Sequence, residues 1–167
     1  MKQSGLLTLI VATCEIRAME GSYDSMAIVS EDKIMETIQI VAEILTNPLK
    51  ITCLDFNDLC YVLKNSGMFQ TFTHTSSVEK GSMTNLVNYL SEKLKGLPSL
   101  EKMLVNITLS RMGKELLKME DLTIIQKVFS TLPDSIQVLW GLDVTENLAS
   151  DELTISIIAT EPRINKV

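Results

Sequence analysis

Met103-Leu104-Val105-Asn106-Ile107-Thr108-Leu109 admits only two polar residues, Asn106 and Thr108, into an otherwise apolar and β-branched run. A run of this length and composition reads as the central strand of a sheet. On its N-terminal side, Met83, Leu86, Val87, Leu90 and Leu94 keep helical spacing, and Leu97-Pro98 closes that helix. On its C-terminal side, Ile125, Val128, Phe129 and Leu132 share one face of a helix over residues 119–132, broken by Pro133-Asp134. Ile136, Val138, Trp140 and Leu142 then alternate, as do Leu153, Ile155, Ile157 and Ala159, which is the period of half-buried strands. The polar, acidic loop 143–151 between them predicts an antiparallel hairpin. Residues 68–75, rich in Thr and Phe, add a further strand. Four strands and two crossover helices define an α/β (α+β) two-layer sandwich with a four-stranded mixed sheet.

Further upstream, Ser30 with Glu31 and Asp32 reads as a helix start, because acids suit the positive end of the helix dipole. Ile34, Ile38, Val41 and Leu45 form an amphipathic stripe, widened by Met35 and Ala42, and Asn47-Pro48 ends it. This long helix must cover the sheet or another domain. Residues 49–54 read as a short connection. Asp55 caps a helix running to about Asn65, where Asn65-Ser66-Gly67 stops it. Residues 6–13 and 25–29 are two short buried strands separated by a polar loop. The order is β, β, long helix, short helix, β, helix, β, helix, β, β. The chain divides into N-terminal strands (1–29), a long helix (30–46), the sandwich (47–161) and a tail (162–167).

Composition narrows the function. The chain has 167 residues, 46% hydrophobic and 22% charged, which is the profile of a folded globular domain. Its net charge of −6, from 15 basic and 21 acidic residues, leaves no basic footprint for a phosphate backbone, so no nucleic acid is expected. The apolar run 6–12 is far shorter than the roughly 20 residues a bilayer crossing needs. Glu15 and Arg17 follow it too soon for a signal peptide, so membrane insertion is not expected. Cys14, Cys53 and Cys60 have no metal-binding spacing, and an odd count without a leader points to a reducing, cytoplasmic setting. None of the seven glycines pairs into Gly-x-Gly and no Gly-Lys-Ser/Thr occurs, so no phosphate-cradling loop is expected and no cofactor on this chain alone.

Asp55-Phe56-Asn57-Asp58 carries the most pointed chemistry. Two carboxylates three residues apart at a helix start fall on one side of its first turn. They serve the helix itself, Asp55 as cap and Asp58 against the dipole, or they face an outside ligand, where a carboxylate can orient and polarise an attacking water. The single histidine, His74, alternates with Phe72 on its strand and has no Ser or Cys partner identifiable in the sequence.

The segment Asn47-Pro48-Leu49-Lys50-Ile51-Thr52-Cys53-Leu54-Asp55-Phe56-Asn57-Asp58-Leu59 resembles FtsZ, the bacterial tubulin homologue, in which a central helix runs through a Pro turn into a stretch reading roughly I-N-L-D-F-A-D-V. Ser66-Gly67-Met68 resembles that family's next strand start. Leu104-Val105-Asn106-Ile107-Thr108 resembles its L-V-N-I-T strand, and Asp151 to Thr160 resembles its terminal D-E-L-x-V-T-V-V-A-T strand. These matches are collinear from about Asn47 to Thr160. The resemblance implies the C-terminal domain of that family, with residues 1–29 at most a stub of its GTPase domain. The family's glycine-rich signature is missing, so this chain is not expected to bind GTP alone.

In the family, the loop after the central helix enters the nucleotide site of the adjacent subunit, and its acids activate the water that attacks the γ-phosphate. The resemblance places Asp55 and Asp58 on those catalytic positions, acting in trans on the GTP and Mg of a neighbour, with Cys53 and Asn57 at the interface. Cys53 replaces a family Asn, residues 69–74 depart from the family's small-residue strand, and only seven residues follow Thr160, where the family carries a partner-recruiting tail. The expected function is therefore a cell-division or cytoskeletal module that contacts FtsZ or itself in tubulin-type filaments. It would supply carboxylates in trans at most and would be no enzyme by itself. Two rivals stand beside it. One is a stand-alone ligand-binding domain or enzyme with a pocket containing His74 or Cys60. The other is a structural homo-oligomer that uses the apolar stripe of the long helix.

Overall fold

The computed structural model describes residues 6–14, 23–47, 50–52, 54–77, 82–97, 99–111 and 119–163. Strands β1 (Leu9–Ala12) and β2 (Ser25–Ile28) pair in parallel as a small sheet. A 3-10 turn at Glu31–Lys33 leads into helix α1 (Ile34–Thr46), and Ser30 makes no side-chain capping bond there. Strand β3 (Lys50–Thr52) and helix α2 (Phe56–Leu63) follow, then β4 (Phe69–Ser77), α3 (Ser82–Lys95), β5 (Lys102–Ser110), α4 (Met119–Phe129), β6 (Gln137–Thr145) and β7 (Glu152–Thr160). Asn65, with φ of 59°, terminates α2 as the Asn-Ser-Gly cluster predicts.

The main sheet runs β3-β6-β5-β7-β4. β5 is central, parallel to β6 and antiparallel to β7. The four long strands are those the sequence predicts, in a mixed sheet. The residues read as a plain connection also hold β3, a three-residue edge strand on β6. The expected hairpin is corrected: β6 and β7 run in opposite directions but do not pair, because β5 lies between them. Antiparallel hairpins and split pairs share the same alternating pattern and loop chemistry. The apolar demand of β5 on both edges and both faces decides against the hairpin.

Alternation along β5 separates two cores. Met103, Val105, Ile107 and Leu109 point into one cluster with Leu90 of α3, Ile125 and Val128 of α4, and Ile155 and Ile157 of β7. Leu104 points the other way, into a cluster with Ala27, Ile40, Ile44, Leu59, Phe69 and Ile158. Thus α3 and α4 cover one face, and α1, α2 and the small sheet cover the other.

The buried side of α1 is offset from the stripe read in the sequence. Thr37, Ile40 and Ile44 are buried, whereas Met35, Ile38 and Leu45 are 71%, 45% and 42% exposed. The helix is apolar on more than one flank, so periodicity alone does not choose which flank meets the sheet. Packing against β4 and β7 chooses the Ile40–Ile44 flank.

Gly67 ties the small sheet, β4 and the C-terminal segment together. Its N–H donates to Glu161 O at 2.9 Å and its carbonyl accepts from Met26 N at 3.1 Å. A Cβ there would lie 2.8 Å from Pro162 O and 2.9 Å from Arg163 Cα, both backbone atoms. Gly67→Ala is therefore expected to cost about 1–3 kcal/mol, read as a lower urea midpoint at unchanged slope. A change within about 0.5 kcal/mol would show that the 161–163 segment moves aside freely.

Candidate functional site

The acidic turn sits at the N-terminus of α2, with Asp55, Phe56 and Asn57 exposed and Asp58 half-buried. Leu59, Val62 and Leu63 bury the opposite side of the helix, and this fixes the turn outward. Asp55 is the cap: its Oδ1 accepts from Asn57 N at 2.7 Å and from Asp58 N at 3.1 Å. Asp58 returns the bond, its Oδ2 accepting from Asp55 N at 2.9 Å, which completes a capping box. Asn57 Nδ2 donates to Asp55 Oδ2 at 3.2 Å, so the Asn57 side chain is folded back on the cap.

The helix-serving reading of this motif is thus realised in full. The two carboxylates are not equivalent, however. Both Asp55 oxygens are engaged, whereas Asp58 Oδ1 makes no hydrogen bond to a described residue. The oxygen available to an outside water belongs to Asp58. Cys53, the other expected interface residue, lies outside the described residues.

The residues of the rival pocket do not converge. His74, opposite Ile155 of β7, stacks on Tyr89 of α3 with ring centroids 4.5 Å apart. Cys60 lies on α2, where burial pushes its thiol up and makes it a poor nucleophile. Neither residue lines any of the three principal cavities.

The largest of those cavities, about 500 Å³, lies elsewhere, between α1 and the sheet. Its floor is two polar rows that the register aligns across the strands: Thr73 of β4 with Asn106 of β5, then Thr75, Thr154, Thr108 and Asp143. Asn106 Nδ2 donates to Asp143 Oδ2 at 2.9 Å, and both residues are buried. Sequence reading missed this cleft. Its signal is the set of small polar residues on one face of otherwise apolar strands, and only the strand register brings them together.

Among the described residues no three His, Cys, Asp or Glu side chains are placed to hold a metal ion. No helix among them is long and apolar enough to cross a membrane.

Solved structures share this architecture. The empty FtsZ dimer of M. jannaschii matches with a TM-score of 0.62 at 18% identity, over 93% of this chain and 55% of that one. The GDP-form protofilaments of Bacillus thuringiensis serovar israelensis TubZ match at 0.60 with 10% identity, over 86% and 45%. The helical TubZ-Bt four-stranded filament matches at 0.63 with 10% identity, over 80% and 34%. The sequence matches no protein-family model, and no curated protein matches it significantly. The fold is therefore of the FtsZ/tubulin type. More particularly, it is the α/β fold of the FtsZ/tubulin C-terminal-domain type, and the chain spans about half the length of the FtsZ chain it matches.

Proposed function

We propose that this chain is a FtsZ-like cytoskeletal module that contacts tubulin-type protofilaments through the turn holding Asp55 and Asp58. The turn completes a neighbour's GTPase site, and GTP and Mg belong to that neighbour. The observation that carries the reading is the exposed turn on which Asp58 keeps one carboxylate oxygen clear of local hydrogen bonds. A carboxylate so placed accepts a hydrogen bond from an attacking water and draws off its proton. Asp55 and Asn57 hold the turn in shape. The solved structures with this fold are a dimer and protofilaments, which supports end-to-end association.

Co-sedimentation of this chain with a complete FtsZ, with and without GTP, tests the proposal. GTP-dependent co-pelleting, or a change in filament mass or in GTP turnover, is expected. No effect with the chain in excess would overturn it.

A second reading is favoured by the exposed apolar residues Met35, Ile38 and Leu45 on α1. It is self-association through that helix face. Sedimentation velocity of the chain alone separates the two, because only this reading predicts concentration-dependent oligomers that Ile38→Glu abolishes.

A further inference from the structure

We propose that the cleft between α1 and the polar rows of the sheet binds a small aliphatic polyamine, two or more protonated amino groups on a short unbranched carbon chain. The inference is independent of the acidic turn and of filament contact.

Four observations converge on that chemistry. First, the cleft is about 500 Å³, inside the range of roughly 300–1,000 Å³ usual for small-molecule sites. It persists because Thr73, Thr75, Thr108 and Thr154, which line it, are too short to fill the space beneath α1. Second, its floor holds an acceptor in want of a donor. Asn106 is 3% exposed, its Nδ2 is committed to Asp143, and its Oδ1 has no partner among the described residues. A buried acceptor without a donor is costly, and a ligand N–H relieves it.

Third, the charge of the lining has one sign. Glu36, Glu43 and Asp143 contribute carboxylates, and no Lys or Arg lines the cavity among the described residues. Lys33, outside the cavity, pairs with Glu36. Glu43, on the rim, accepts from Gln39 Nε2 at 2.9 Å and has no cationic partner among the described residues. Fourth, the walls suit methylenes rather than rings: among the described residues Ile40 and Leu148 are the apolar lining ones and no aromatic side chain lines the cavity. A nucleobase or sugar would find no stacking face. An ammonium group reaching Asn106 Oδ1, a carbon chain along Ile40 and Leu148, and a second ammonium at Glu43 fit the polarity from floor to rim.

Calorimetric titration of the chain with spermidine at physiological salt tests the proposal, with 1,8-octanediol as the uncharged counterpart. Saturable one-to-one binding of spermidine and none of the diol is expected. Asn106→Leu should weaken binding by about tenfold or more, since a hydrogen bond to a charged donor is lost. Glu43→Gln, an exposed change that leaves the fold alone, should weaken it by about threefold to fivefold. Asp134→Asn, on an exposed loop away from the cleft, should bind as the unaltered chain does. Absence of binding at millimolar spermidine overturns the proposal. So does equal binding of the diol, or equal weakening by Glu43→Gln and Asp134→Asn, which would reduce the effect to attraction by the net negative charge.

Discussion

Asp58→Asn is expected to abolish the chain's stimulation of GTP turnover by a FtsZ partner, a loss on the order of 10²–10⁴-fold, while the fold is kept. The substitution separates two duties that share one side chain. As N3 of α2, Asp58 accepts from Asp55 N through Oδ2, and an Asn side-chain oxygen can accept the same bond. What Asn cannot do is take a proton from water or hold negative charge at the Oδ1 position.

Asp55→Ala should behave in the opposite way. Its Oδ1 anchors the amides of Asn57 and Asp58, so its loss costs about 1 kcal/mol of stability through the cap. Turnover then suffers only as far as the turn loosens. Parallel denaturation and turnover measurements on the two variants distinguish a proton acceptor from a cap. Stimulation by Asp58→Asn equal to that of the unaltered chain would remove Asp58 from the chemistry and leave the turn a contact surface only.

How much of this is legible before coordinates depends on the range of the signal. The D-x-x-D spacing predicts the Asp55 cap because that interaction lies within one turn, while Asp58, read as serving the dipole, also returns a bond to Asp55 N. Met103 to Leu109 predicts a central strand because the run is apolar and β-branched but for Asn106 and Thr108, and β5 is that strand. The pairing of β6 and β7 is not legible, since a loop of hairpin composition also connects strands that flank a third. Nor is the flank of α1 that packs inward, because Ile38 and Leu45 are as apolar as Ile40 and Ile44. The cleft is the furthest from sequence reach. Thr75, Thr108, Asp143 and Thr154 lie on four different strands, and only the register aligns them. The local trace they leave is a polar residue at alternate positions of strands whose other face is apolar, which reads equally well as a face turned to solvent.

Phe69→Ala is expected to destabilise the chain by about 4 kcal/mol, the middle of the usual range for losing a buried Phe. Phe69 opens β4, is 1% exposed and belongs to the cluster where β2, α1, α2 and the sheet meet. Its register partner is Thr160 at the end of β7, so a void there undercuts both strands at that end of the β4–β7 pair. Against a total of roughly 5–15 kcal/mol for a domain, this is about a quarter or more of the stability. Phe69→Leu, which keeps most of the volume, should cost less than about 1.5 kcal/mol. Urea denaturation of the three proteins gives the series, and a Phe69→Ala cost below about 1 kcal/mol would mean that the cluster collapses around the gap. The position also bears on function. Leu59, Val62 and Leu63 of α2 lie in the same cluster, and α2 carries Asp58 on its first turn. Loosening the cluster should therefore weaken partner stimulation without touching a carboxylate. Phe69→Leu should retain stimulation, whereas Asp58→Asn should lose it at full stability, and that contrast assigns the effect to the acid rather than to the helix that holds it.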